Sequence, residues 1–237
     1  MKKTFVLITA CLLSSTPLKA GGDNPSQSGF FVGAQAGYVY LGTSMDMTST
    51  LSGAVSRTES ASHYKRSHNF IGGLHLGYLA LLKQKYILGG DIEGNFDTVS
   101  IKNHIMQNAQ RYTYKASRQF NLIPSFIVGA QVYDYLKIYL RLGMAISSFH
   151  YRLINHGNNE DIRTNHHSIS LGFAPALVHE VKISKHCAVS IIAAYEIYEK
   201  SKTVFLSSIV VGDNADNNVL KIRPNVFSMK VGFKYYL

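Results

Sequence analysis

A chain of 237 residues suits one domain, and no break in composition marks a hinge between two cores. Charged residues make up only 16%, below the roughly 25% usual for soluble domains, while Gly (19), Tyr (15) and Phe (12) are plentiful. The formal charge of +10 suits an anionic lipid or polysaccharide surface as readily as nucleic acid, and no nucleic-acid partner is expected.

The first 20 residues read as a secretory signal: Lys2 and Lys3 make a basic start, Thr4 to Leu13 an apolar run, and Leu18-Lys19-Ala20 a cleavage site. Ile8-Thr9-Ala10-Cys11 resembles a lipoprotein processing box, but Cys11 comes too early to leave a full apolar region before it. Loss of residues 1–20 leaves 21 basic residues against 14 acidic ones, and Cys187 as the only cysteine. No intramolecular disulfide is then available, although the destination is oxidising. No later stretch approaches the ~18 apolar residues of a membrane helix, so a bilayer could be crossed only by strands. The expected division is a signal over 1–20, a short polar leader over 21–28 and one domain over 29–237.

From Gly29 the sequence alternates. Phe30, Val32, Ala34, Ala36, Tyr38 and Tyr40 make an apolar face, with Phe31, Gly33, Gln35 and Gly37 opposite, and a period of two predicts a strand. The pattern returns over Phe70 to Tyr78, with His75 on the mixed face. From Tyr86 it puts Asp91, Glu93 and Asn95 opposite Leu88, Ile92 and Phe96. A fourth run sets Phe120, Leu122, Pro124, Phe126 and Val128 against Gln119, Asn121, Ile123 and Ser125. A fifth sets Ile138 to Ile146 against Tyr139, Arg141, Gly143 and Ser147. Ile169 to Leu177 and Val189 to Ile197 follow, with Ser168, Ser170, Ser190 and Glu196 on the polar side. The eighth run closes the chain, Phe227, Met229, Val231, Phe233, Tyr235 and Leu237 alternating with Ser228, Lys230, Gly232, Lys234 and Tyr236. Pro124 and Pro175 each remove a ladder donor, which predicts local bulges there.

Connection lengths alternate as well. About 25 residues (Gly42 to Arg66), 20, 15 and 20 join alternate pairs, and tight turns at Leu81 to Lys85, Gln131 to Lys137 and Lys182 to His186 join the others. Long loops on one rim and short turns on the other are the arrangement of outer-membrane barrels. A soluble lipocalin-like ligand carrier is the alternative, but its apolar face would point inward and its charged face outward. Here the non-apolar face is rich in Gly and Ser, and Tyr38, Tyr40, Tyr78, Tyr86, Phe96, Phe227 and Tyr235 sit near strand ends, where membrane girdles belong.

On the opening Gly29-Phe30-Phe31-Val32-Gly33-Ala34-Gln35-Ala36-Gly37-Tyr38 and the closing Phe227 to Leu237, the chain resembles the small outer-membrane β-barrels, the OmpA-type transmembrane domain and related short surface proteins of Gram-negative bacteria. The resemblance covers the chain beyond its signal. It implies an all-β, eight-stranded antiparallel up-and-down barrel in the outer membrane, with short periplasmic turns and long extracellular loops. It also implies recognition of the last strand by the barrel-assembly machinery; Leu237 stands where that family usually ends in Phe.

With the faces so assigned, Asp91, Glu93, Arg141, Glu196, Lys230 and Lys234 point into the lumen together with Gln35, His75, Asn95, Gln119 and Asn121. Buried charges need partners, so a plug of ion pairs is expected, and a narrow conducting pore is the functional alternative that the resemblance implies. The second loop holds Lys102, Arg111, Lys115 and Arg118 with no acid between Asp97 and Arg118, a patch suited to lipopolysaccharide phosphates or an acidic host ligand. His150, His156, His166 and His167 gather around the third loop without metal-ligand spacing, and no cofactor or metal is expected. His166, Ser168 and Glu180 resemble in spacing the triad of the lipid A deacylase family, but Ser168 faces the lumen and Ile169 stands where that family has Asn. The expectation is a non-enzymatic surface protein whose barrel presents loops to envelope or host.

Overall fold

The computed structural model describes residues 28–51, 57–107, 110–156, 161–199, 201–205 and 216–237. The expected signal and the leader through Gln27 lie outside them. The strands are β1 (Gly29–Leu51), β2 (Arg57–Leu82), β3 (Tyr86–Asp97), β4 (Ser100–Gln107), β5 (Gln110–Tyr133), β6 (Leu136–His156), β7 (Asp161–Lys182), β8 (Cys187–Tyr198), β9 (Ser201–Phe205) and β10 (Asp216–Tyr236). β3 and β4 lie end to end along β5, and β8 and β9 end to end along β10. The ten strands therefore make eight antiparallel staves, and β1 pairs with β10 from Phe31↔Tyr236 to Leu51↔Asp216 to close the barrel. Closure leaves no edge in the bilayer, where an unpaired backbone amide has no water to bond.

Short turns at 83–85, 134–135 and 183–186 share one rim with both ends of the described chain. The long connections differ from their expected form. They are largely strand: β1 runs to Leu51 and β2 begins at Arg57, inside the stretch expected as the first loop. A spanning strand needs about 9–11 residues, whereas β6 has 21, so the staves continue beyond the membrane as hairpins.

Along the lower staves, toward the short turns, apolar side chains point outward and are exposed, among them Phe30, Leu76, Leu88, Phe126, Leu142 and Val231. Such a continuous belt would aggregate in water and is natural in lipid. Aromatic pairs mark its outer edge, Tyr38 on Phe70 at 4.4 Å and Phe96 on Phe120 at 5.4 Å between centroids. Above that edge the apolar face changes sides. Val39, Leu41, Val99, Ile101, Tyr114, Ala116, Phe149, Tyr151, Ile222 and Val226 point inward and form a buried cluster over the lumen. On β6 the switch falls between outward Ile146 and inward Phe149, so hydrophobicity faces lipid below and the protein's own core above.

The expected bulges at Pro124 and Pro175 take another form. The ladder is interrupted beside each, between Leu122↔Ile146 and Ser125↔Gly143 and between Phe173↔Ile197 and Ala176↔Ala194, with no change of register. The register shifts instead between Arg118 and Phe120, where β5 carries one residue more than β6, and again between Gln131 and Tyr133 beside the short turn.

Gly37 lies at the seam. A Cβ there would fall 2.0 Å from the Met229 carbonyl oxygen and 2.6 Å from Lys230 Cα, backbone that cannot move without opening the closure. At outward Gly72 the nearest atom is 4.0 Å away. Gly37→Ala is expected to destabilise the barrel by about 1–3 kcal/mol and Gly72→Ala by less than about 0.5 kcal/mol, read as denaturant midpoints of the folded, heat-modifiable band in vesicles; equal midpoints would contradict the seam packing.

Candidate functional site

The lumen holds three polar clusters stacked along the barrel axis, packed with inward apolar side chains such as Phe31, Leu79, Ile87, Ile127, Val178 and Ile192. Lowest, Glu180 of β7 accepts hydrogen bonds from the hydroxyls of Tyr139 (2.8 Å) and Tyr236 (2.6 Å) and from Lys234 Nζ (2.7 Å), with Lys137 Nζ at 3.6 Å. The Lys234 ammonium also bonds the Tyr139 hydroxyl and stands 4.5 Å from the centre of the Phe31 ring. In the middle, Arg141 of β6 pairs with Asp91 at 3.0 Å and with Glu93, and Lys230 of β10 pairs with the same Glu93. Asn95 donates to Glu93 at 2.6 Å and accepts from Gln35 at 2.9 Å. His75 is buried at this level, its ring edge-on to Phe31; a Cβ on Gly33 would fall 2.0 Å from its Nε2, so the ring needs that glycine.

The upper cluster centres on Arg118 of β5. Its Nε donates to Asp97 at 2.7 Å and its Nη1 to Glu196 at 2.6 Å. Asn121 Nδ2 donates to the same carboxylate at 3.1 Å, and the Tyr198 hydroxyl also bonds it. Ser147 joins the cluster through Asn121, 3.0 Å away. Over the described residues the buried acids are Asp91, Glu93, Asp97, Glu180 and Glu196, and the buried bases are Arg118, Lys137, Arg141, Lys230 and Lys234, five against five.

The structure brings ten of the eleven expected lumen residues inside: Gln35, His75, Asp91, Glu93, Asn95, Asn121, Arg141, Glu196, Lys230 and Lys234. The eleventh, Gln119, is exposed, and Arg118, expected in the loop patch, is 1% exposed in the lumen. One cause accounts for both corrections. The extra residue in β5 breaks the alternation, so Gln119 and Phe120 both face outward while Arg118 and Asn121 face inward. Strict period-two reasoning cannot see a bulge. It could have found Asp97, in phase with Asp91 and Glu93, and Glu180, in phase with Ala174 and Ala176. Lys137, at the end of the expected turn, is the first inward residue of β6, in phase with Tyr139 and Arg141.

Of the remaining loop patch, Lys102 and Lys115 are exposed and directly opposed between β4 and β5, and Arg111 lies farther out on β5, its side chain outside the described set. Arg152 of β6 stands opposite Lys115 and extends the row; it was missed because β6 was expected to end before it. His150 and His167 stack face to face at 4.2 Å. His166 lies on the opposite face of β7 from His167, and the described residues hold no group of three metal ligands. His166 and Glu180 are 14 residues apart on one continuous strand, about 45 Å at strand rise, so with Ser168 they form no triad.

No family model matches this sequence, and no curated protein is similar to it. Among solved structures it superposes on the outer membrane protease OmpT from Escherichia coli with a TM-score of 0.52, at 10% identity over 88% of this chain and 97% of that one. It is also similar to outer membrane protein OprG from Pseudomonas aeruginosa (TM-score 0.48, 13% identity, 89% and 97% covered). Neisserial surface protein A gives a TM-score of 0.39 at 14% identity, with 89% and 98% covered. The chain has the fold of the small outer-membrane β-barrels, and its lipid-facing belt belongs in that membrane. At 10% identity the likeness to OmpT reaches the fold alone, and the protease activity remains that protein's own.

Arg118→Ala leaves Asp97 and Glu196 buried without their cation and is expected to cost about 3–5 kcal/mol, whereas Gln119→Ala should stay within about 0.5 kcal/mol. Urea unfolding from vesicles measures both; the reverse order would restore strict alternation and remove the bulge.

Proposed function

We propose that this chain is a surface protein of the outer membrane, a closed barrel that holds stiff hairpins over the outer leaflet for contact with envelope or host partners. The observation that carries this reading is the combination of a filled lumen with staves that continue past the membrane. Charged residues at three levels of the lumen are buried and paired, and an apolar cluster of side chains including Tyr114, Phe149 and Tyr151 lies above them. A barrel needed only as a plug could close with tight turns on both rims; strands of 23 and 26 residues in β1 and β2 have no use inside a bilayer. Function therefore belongs to the hairpins, which a rigid scaffold presents at fixed places. The reading includes no catalytic step, and it keeps the barrel-assembly machinery as the partner of the last strand.

The test removes the outer part of the first hairpin, by replacing residues 45–63 with a short turn, and compares adhesion of cells bearing each form to lipopolysaccharide-coated and to host-matrix surfaces. Loss of adhesion with the folded, heat-modifiable band retained is expected, and both forms should be silent in planar bilayers. Unchanged adhesion together with stable conductance, altered by Arg141→Ala, would move function into the lumen.

A further inference from the structure

Above the membrane the eight staves separate into two walls. β2 pairs with β3 only up to Ile71↔Asp97, and β7 pairs with β8 only up to Gly172↔Tyr198. The upper parts of β4, β5, β6 and β7 thus form one wall, and those of β2, β1, β10 and β9 the other. On the outer face of the first wall, Lys102, Lys115 and Arg152 occupy successive staves at one level, Lys102↔Lys115 and Lys115↔Arg152 being direct cross-strand partners. All three are exposed, and none pairs with a carboxylate among the described residues. Arg152 is held by Asn165 of β7, its Nε donating to Oδ1 at 3.0 Å. Lys65 of β2 adds a fourth cation at the seam, its ammonium 2.5 Å from the Lys102 carbonyl oxygen.

Like charges set directly opposite one another on neighbouring strands are destabilising. Elsewhere an acid stands at the same level: every buried base has one, and where Lys202 and Lys221 oppose each other on the other wall, Asp46 of β1 is the next cross-strand partner of Lys221. Arg66 and Arg223 on that wall are separated by β1, which carries Gly42 and Ser44 at those levels. The outward positions below and beside the row are Thr98, Ser100, Gln119, Ser117, Ser148, His150 and His167, none of them acidic. The row is also placed by height. Counting outward from Phe96, Phe120 and Ile146 at the edge of the belt, it is the first level of fixed cations, and lysine and arginine stems reach down from there toward the interface. Successive strands are about 4.8 Å apart, so the three charges span about 10 Å, the scale of a headgroup bearing more than one phosphate.

We infer that Lys102, Lys115 and Arg152 form a binding site for the phosphate groups of an outer-leaflet glycolipid of the lipopolysaccharide type. This rests on the surface-display reading only in placing the hairpins over the outer leaflet. The site uses the outward flank of one wall, leaving the hairpin tips free for other partners. An anion here cancels the repulsion within the row, so bound lipid also stiffens β4, β5 and β6.

The test titrates the refolded full-length protein, by native mass spectrometry, with bisphosphoryl lipid A and with the same lipid stripped of phosphate. The parent should prefer the phosphorylated lipid, and the preference should fall as salt rises. Lys102→Ser/Lys115→Ser/Arg152→Ser should weaken binding by about tenfold or more. Lys102→Arg/Lys115→Arg/Arg152→Lys should keep it, as should Lys83→Ser/Lys85→Ser on the periplasmic turn. Equal binding of the stripped lipid, or full affinity in the triple serine variant, would overturn the site. Tighter binding of a soluble sulfated oligosaccharide through the same three residues would overturn its assignment to a membrane lipid. Any of these results with adhesion still lost on hairpin trimming would leave the surface-display reading standing, whereas intact lipid binding with unchanged adhesion would overturn that reading alone.

Discussion

An eight-stave barrel encloses little more than its own side chains, and a charge placed there must find its opposite on another stave. Arg118 meets Asp97 and Lys137 meets Glu180 between adjacent staves, but the other pairs run between staves that are not neighbours. Arg141 of β6 and Lys230 of β10 both meet Glu93 of β3, Arg118 of β5 meets Glu196 of β8, and Lys234 of β10 meets Glu180 of β7. They act as spokes across a wall already held by its ladder, and five acids balance five bases. Removal of one member strands its partner in a medium that cannot solvate it, so the network behaves as a unit. The same pairs occupy the space a pore would need.

The second organising feature is the change of phase along each stave. Within the bilayer the solvent is lipid, so Leu140, Leu142 and Met144 face out and Arg141 faces in. Above it the solvent is water, and Phe149 and Tyr151 turn in while Arg152 turns out. A stave of 21 residues can obey both rules only if its apolar side switches once, and the switch records where the outer leaflet ends. The cationic row begins just past it, where the headgroups lie.

Within the bilayer the sequence made most of this legible. A period of two with one apolar face located all eight staves, their short turns and ten of the eleven lumen residues, because lipid requires an apolar outward face. The hairpins are not legible as strands because the apolar phase inverts there: Val99, Ile101, Phe149 and Tyr151 are out of step with the runs that precede them, and the pattern breaks off. Arg118 and Gln119 changed places for a different reason, since a one-residue bulge leaves no mark in composition. The opposition of Lys115 to both Lys102 and Arg152 is a matter of register between strands, which no single run specifies.

The central claim is that the two faces of these staves are divided between lipid and a filled interior, with β5 changing step between Arg118 and Phe120. Single spin labels at each position from 115 to 127, in a Cys187→Ser background and in lipid vesicles, test it through accessibility to oxygen. Alternation is predicted, with Leu122 and Phe126 accessible, Asn121, Ile123 and Ile127 shielded, and adjacent Gln119 and Phe120 both on the outside. Unbroken alternation that shields Gln119 would contradict the bulge and the buried Arg118, and accessibility without a period of two would contradict the barrel.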